Sequence, residues 1–394
     1  KNRGSLKMFR ISQYMQAIRN PTPPTPPRTP SGPVVIWNLI RRCNLTCKHC
    51  YSISADTNFK GELSTTEAFT VMDDLKQYGV PVLILSGGEP LLRPDIFELS
   101  KRAKDMGFYV GLSTNGTLID ENNIQQIADI GYDYVGISID GLETIHDKFR
   151  RLDGAFQKSM DGIKLCQEHN IKVGLRFTLT QENALDLEPL LKLTKELQID
   201  KFYLSHLNYA GRGNKNRDED AHHKTTRTAM DTVLRYAWEE SNKTDGIEFV
   251  TGNNDADGVY LLQWVEKNFP QQSSNIRQRL VNWGGNQTGI NISNIDNLGK
   301  VHPDTMWWDR SLGSVRERPF SEIWDDISNP LMAGLKHKPR PVTGRCGACN
   351  SLDICGGNTR VRALQLYGDL WAEDPGCYLS DAELDINIVD GAHK

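Results

Sequence analysis

Three cysteines, Cys43, Cys47 and Cys50, stand within eight residues in the run "WNLIRRCNLTCKHCYS", spaced C-x3-C-x2-C. A structural zinc site takes four protein ligands. Three thiolates on one loop suit instead a centre that keeps a position open. They can hold three irons of a 4Fe-4S cluster and leave the fourth to an outside ligand. The alternative is zinc completed by His49. It is disfavoured because His49 and Cys50 are adjacent and would have to reach one ion from consecutive positions. A second set, Cys346, Cys349, Cys355 and Cys377, reads C-x2-C-x5-C-x21-C in a glycine-rich tail. Four thiolates there suit a closed zinc site or a second 4Fe-4S cluster, and spacing alone leaves the two level. Between the sets lies "LSGGEP", where Gly87 and Gly88 would let a ligand approach the backbone and Glu89 adds a carboxylate.

Elements that could position these groups follow a repeating pattern. Short apolar runs at 34–39, 82–87, 109–114, 134–140, 172–179 and 201–206 read as strands. Helix-like segments lie between them, including 64–79 and 95–107, with Ser64 and Asp95 as expected N-caps and Gly79 and Gly107 as C-cap glycines. Alternating strands and helices imply parallel βα units, either doubly wound or curved into a partial barrel. Sites in such sheets gather at the C-terminal strand ends, and the first cysteine set directly follows the first strand. The expected organisation is a proline-rich arm at 1–33, a barrel domain at 34–240 and a small C-terminal domain at 241–394 built around the second set. Residues 1–7, ahead of Met8, read equally as a cloning remnant or a native extension.

Composition narrows the field. With 394 residues, Lys+Arg 46 against Asp+Glu 50 and a net charge of −4, the chain has ample core and no basic footprint for nucleic acid. No apolar run approaches the roughly 20 residues that span a bilayer, and 1–33 has no signal-peptide core. The expectation is a reducing cytoplasm, where cysteines serve as ligands rather than disulfides. Cys166, in a helical pattern, is expected to be a small core residue.

"CNLTCKHC" followed by "SGGEPLL" resembles the radical S-adenosylmethionine (SAM) superfamily. The resemblance implies a partial (β/α)6 barrel and a 4Fe-4S cluster whose open iron chelates the methionine part of SAM. It also implies reductive cleavage to a 5′-deoxyadenosyl radical that abstracts hydrogen. By the same resemblance His49 packs near adenine, Gly87, Gly88 and Glu89 meet the methionyl amino group, and Ser138 contacts the ribose region. Arg150 pairs with the SAM carboxylate, and Asn115 and Leu207 line the adenosine pocket. Ordinary roles remain open for some of these: a surface salt bridge for Arg150, and a structural or a ligand role for Arg176.

The tail is similar to the auxiliary-cluster extensions called SPASM or twitch domains, which favours a second 4Fe-4S cluster at Cys346, Cys349, Cys355 and Cys377. Where that pattern carries a further cysteine after a proline, "VHPDT" has Asp304. One fully ligated auxiliary cluster is therefore expected, serving electron transfer or structure. Trp307 and Trp308 could stack on a flat substrate or fill the core. His206, His222, His223 and His302 are more often structural than ligating.

"VVIWNLIRRCNLTCKHCYSISAD" with "VHPDTMWWD" and "LGSVRERPFSEIW" resembles the heme d1 biosynthesis branch of the superfamily, the NirJ proteins. That implies a tetrapyrrole substrate, 12,18-didecarboxysiroheme, attacked at its two propionate side chains. It also implies a reducing electron donor such as flavodoxin or ferredoxin. Arg212, Lys215, Arg217, His222, His223, Lys224 and Arg227 then become candidate partners for the substrate's carboxylates. The rival classes are a peptide maturase, a heme-pathway decarboxylase and a non-enzymatic zinc protein. Residues 1–33 are too short for a maturase's peptide-recognition domain.

Overall fold

The computed structural model describes residues 8–26 and 32–386. The expectations for residues 1–7 and for part of the proline run, 27–31, lie outside these. All six expected strands form: β1 Val34–Asn38, β2 Val82–Ser86, β3 Tyr109–Thr114, β4 Tyr134–Ser138, β5 Val173–Leu179 and β6 Lys201–His206. They pair in parallel in chain order. Helices cover the crossovers: α2 Thr65–Tyr78, α3 Ile96–Asp105, α4 Ile124–Ile130, α5 Glu143–Arg150, α6 Ala155–Glu168 and α7 Leu187–Glu196. Parallel strands are covered on both faces, which is why they read as nearly unbroken apolar runs such as "VLILS".

The sheet does not stop at residue 240. A short helix α8, Gly211–Lys215, and the long α9, His223–Glu240, lead to β7, Glu248–Gly252, which joins β6 in parallel. After α10, Ala256–Asn268, and α11, Ser273–Trp283, strand β8, Ile292–Ile295, joins the other side of β1, again in parallel. β9, Lys300–His302, and β10, Gly313–Ser314, extend that edge antiparallel. The order is β10-β9-β8-β1-β2-β3-β4-β5-β6-β7. One cavity is touched by Ile36, Ile84, Ser113, Ser138, Arg176, Tyr203, Thr251 and Ile292, from β1 through β8 in turn. Strands that all reach one cavity must curve around it, so the sheet is a partial barrel whose open seam lies between β7 and β8, with β9 and β10 extending the β8 side.

Inside the stretch expected as an arm, Ile11–Arg19 forms a helix, α1, with Ile11, Met15 and Ile18 buried, packed on β7 and α9. Its apolar residues recur at i, i+4 and i+7, a helical period. Ser64 caps α2 with a full capping box, its side chain accepting from the Glu67 amide, and Gly79 closes that helix at φ 88°. Asp95 does not cap α3. Its carboxylate is taken by Arg93 and by Thr65 Oγ1, at 2.6 Å each, while Arg93 also donates to the carbonyls of Leu39 and Leu63. Cys166 is fully buried, as expected.

The tail is tied to the barrel by Arg362. It makes a bidentate pair with Asp374, at 2.9 and 2.8 Å, and donates to the carbonyls of Leu207 and Asn253. Both side chains are at most 1% exposed. Removing one partner of such a pair strands a buried charge, which costs about 3–5 kcal/mol. Asp374→Ala is therefore expected to lower unfolding free energy by that amount in anaerobic denaturant titration. A loss below about 1 kcal/mol would show that the pair does not anchor the tail.

Candidate active site

The cysteine loop leaves β1 and runs across the mouth of the barrel. Cys43 and Cys47 are buried, Cys50 is half-buried, and all three line the cavity. Main-chain amides point at their sulfurs: Leu45 to Cys43 at 3.4 Å and Ser54 to Cys50 at 3.5 Å. Arg150 Nη1 lies 3.4 Å from Cys47 Sγ. Burial pushes the Cys43 and Cys47 thiols up, with Arg150 opposing the shift at Cys47. Such thiols ionise once a cationic centre is bound to them. Three sulfurs lining one cavity, two met by amides and one by a guanidinium, fit a 4Fe-4S cluster that Cys43, Cys47 and Cys50 would hold.

Gly87 and Gly88 make a further contact, with the cysteine loop. A Cβ on Gly87 would stand 2.6 Å from the carbonyl oxygen of Ile40, and one on Gly88 would fall on the carbonyl oxygens of Arg41 and Arg42. The amides of Gly88 and Glu89 donate to Ile40 and Arg42 at 2.6 and 2.9 Å. The two glycines thus let the β2 loop lie against the cysteine loop, backbone to backbone, while also lining the cavity. Glu89 is fully buried one layer behind. It accepts from Thr114 Oγ1 at 2.7 Å, the Asn115 amide at 2.8 Å and the Leu91 amide at 3.1 Å. Burial pushes its carboxyl up to about 7 despite those bonds.

Ser138, Asn115 and Leu207 all face the cavity. Asn115 Nδ2 donates to Asn44 Oδ1 at 2.9 Å, joining the β3 loop to the cysteine loop. His49 is packed on Phe149, centroids 4.7 Å apart, with Nδ1 buried and unpartnered among the described residues. Burial lowers it to about 4, so the ring is neutral. Arg150 is not a surface ion: it is 6% exposed and pairs with the buried Asp140, while its Nε has no partner among the described residues. Asp140 also accepts from the Thr178 amide at 2.8 Å, so β5 fixes the carboxylate that aims Arg150. Arg176 reaches Ser113 Oγ from inside the barrel.

Of the expected cationic cluster, only Arg212 lines this cavity. It donates to the carbonyls of Cys47 and Ser54, at 2.7 and 2.9 Å, and so braces the cysteine loop, with Nη2 buried and without a partner among the described residues. Arg217, His222 and His223 line a separate polar cavity, and Arg227 is paired with Glu383. Trp307 is core at 1% exposure. Trp308 stacks on His302, which is itself buried between Asp296 and the Arg310 carbonyl. His206 touches the cavity but is held by Asp257 at 2.9 Å.

Sequence reasoning missed Asp140, Asn253, Asp255, Asn286, Thr288 and Met306, all at or beside the cavity. The signal for the first of the later residues was "IEFVTGNND": a short apolar run ending in a turn, like the six recognised strands.

A profile of the radical SAM superfamily matches residues 37–194. The pre-heme d1 synthase of Dinoroseobacter shibae is 53% identical over 378 residues, spanning 95% of this chain and 93% of its own. The Fe-coproporphyrin III synthase of Methanosarcina barkeri is 43% identical over 355 residues, 89% of each chain. The chain belongs to the radical SAM superfamily. It is an enzyme of that superfamily, and SAM with a 4Fe-4S cluster are its cofactors. Its fold matches Streptococcus suis SuiB, solved bound to S-adenosylmethionine, with a TM-score of 0.69 at 18% identity, covering 89% of this chain and 78% of that one. No helix among the described residues is long and apolar enough to cross a membrane.

Since Gly88 touches two carbonyls of the cysteine loop, Gly88→Ala must part the loops. SAM affinity of the reconstituted variant, measured by equilibrium dialysis, is expected to fall at least about tenfold, ~1.4 kcal/mol. Unchanged affinity would show that the loop contact does not shape the cofactor site.

Proposed function

We propose that this enzyme acts on 12,18-didecarboxysiroheme in heme d1 biosynthesis, modifying its two propionate side chains. The observation that carries the reading is the 53% identity to a pre-heme d1 synthase across nearly the whole of both chains. The cavity supports it: one continuous space runs from the cysteine loop past Tyr203 and Leu207 to Asn286, Thr288 and Met306. A flat, carboxylate-rimmed substrate needs apolar walls with a few polar groups at defined points.

In this reading Cys43, Cys47 and Cys50 hold the SAM-binding cluster, which with SAM supplies a carbon-centred radical for hydrogen abstraction. Arg150, aimed by Asp140, takes the SAM carboxylate, His49 backs the adenine, and Ser138, Asn115 and Leu207 line the adenosine. Gly87 and Gly88 present the loop to the methionyl amino group, and Glu89 orders that loop from behind. Arg176 and Arg212 place positive charge on the cavity wall where propionates would lie.

Cys346, Cys349, Cys355 and Cys377 are assigned a second 4Fe-4S cluster. The reading is supported by the electrostatics of the tail: burial raises the Cys346, Cys349 and Cys355 thiols, and Cys377 adds to the shift at each. Amides of Asp374 and Ser351 point at the sulfurs of Cys346 and Cys349. An electron donor of the flavodoxin or ferredoxin type, in the cytoplasm, completes the scheme.

Anaerobic protein is expected to carry about eight irons, and replacing Cys43, Cys47 and Cys50 together by Ala should leave about half and abolish SAM cleavage. Zinc in the tail of protein kept from air would overturn the second cluster. Reduced enzyme with SAM and didecarboxysiroheme should yield a tetrapyrrole of altered mass alongside 5′-deoxyadenosine. Formation of 5′-deoxyadenosine that ignores the tetrapyrrole and responds to a peptide would overturn the substrate.

A further inference from the structure

Part of the cavity wall is built by Asn253, Asp255 and residues 286–288 and 304–306, and it includes two acids, Asp255 and Asp304. Asn286 Nδ2 donates to Asp255 Oδ2 at 2.7 Å. Among the described residues no bond falls on the other oxygen, which is left to the cavity. Both oxygens of Asp304 are engaged, by Thr288 Oγ1 and by the Met306 amide. Behind this wall lies Arg340, 6% exposed. Its guanidinium donates to Asn286 Oδ1 and the Thr288 carbonyl, both at 2.8 Å, and to the carbonyls of Leu335 and Gly356. The cation therefore meets both acids only through neutral groups. With Asp255 ionised, a ligand carboxylate brought to its free oxygen would meet like charge and be repelled.

We propose that Asp255 is a specificity-determining residue that receives a substrate carboxylate as a neutral carboxyl group: the substrate enters with one proton taken from solvent, and Asp255 then donates a hydrogen bond to it. This rests on the tetrapyrrole carboxylate reading above. A carboxyl and a carboxylate share a proton readily where two carboxylates would repel. The charged groups acting on Asp255 are Asp257, which raises it, and Arg340 and Arg362, which lower it; Arg340 and His302 act on Asp304. Burial outweighs the cations and pushes Asp255 up to about 6.

The sign follows. Below about pH 6 the free enzyme already holds the proton, and affinity is full. Above it, binding must take up a proton, so affinity falls by up to about tenfold per pH unit.

The test is an anaerobic titration of the reconstituted enzyme with iron didecarboxysiroheme between pH 6 and 8.5, read by visible absorption. Calorimetry in two buffers of different ionisation enthalpy counts protons. The wild type is expected to take up close to one proton at pH 7.5, with affinity falling as pH rises. The propionate methyl ester of the ligand should show neither effect. Asp255→Asn, whose amide donates without titrating, should bind with a flat pH profile and no uptake. Binding by the wild type with no proton uptake and a flat profile would overturn the role of Asp255 and leave the substrate reading standing. No tetrapyrrole binding at any pH would overturn the substrate reading itself. If Asp255→Asn loses iron, the wild-type proton count still decides.

Discussion

Two loops meet backbone to backbone at the mouth of the barrel, and the rest of the site depends on that contact. The loop after β2 donates the amides of Gly88 and Glu89 to the carbonyls of Ile40 and Arg42. There is no room for a side chain at either glycine. The cysteine loop is then braced from three further sides. Asn115 ties it to β3 through Asn44, Arg150 reaches Cys47 from α5, and Arg212 holds the carbonyls of Cys47 and Ser54 from α8. A loop carrying three thiols repels itself once they ionise. Bracing it at both ends and in the middle fixes where the sulfurs point before anything binds them.

A similar contact joins the tail to the barrel. Gly285 lies so close to Cys355 that a Cβ there would fall on its carbonyl group, and the Asn286 amide donates to the Cys355 carbonyl at 3.0 Å. Asn286 also faces the cavity. The wall around the cavity and the backbone of the second cysteine set are therefore one hydrogen-bonded unit, with Arg340 beneath it. Displacement at the tail thiols would be felt at Asn286 and Asp255 through a few short bonds rather than across a flexible linker.

Much of the barrel was legible in the sequence because parallel strands buried on both faces write themselves as short apolar runs, and Gly79 and Ser64 punctuate a helix in a way few other residues can. The cysteine spacing was equally plain, since chemistry needs those residue types at that spacing. What stayed hidden depends on partners distant in the chain. Asp95 resembles an N-cap, yet Arg93 and Thr65 claim its carboxylate. Gly87 and Gly88 read as room for a ligand, and nothing local shows that they also admit the backbone of residues 40–42. The basic run 212–227 looked like one surface, while the fold turns Arg212 inward and leaves Arg227 to Glu383. β7 is as long as β1 and carries the same apolar signal, whereas β8 is four residues, "ISNI", with polar side chains at its centre. Nothing local marks "EFVTG" as the neighbour of β6 or "ISNI" as the neighbour of β1.

The central claim is that SAM bound over Cys43, Cys47 and Cys50 removes hydrogen from a propionate carbon of a tetrapyrrole lying in the same cavity. The most direct measurement is isotope transfer. Didecarboxysiroheme deuterated at its propionate methylene positions is incubated with reduced enzyme and SAM, and the 5′-deoxyadenosine is analysed by mass. The account predicts one deuterium in each 5′-deoxyadenosine formed during turnover. Unlabelled 5′-deoxyadenosine accompanying a modified tetrapyrrole would contradict it.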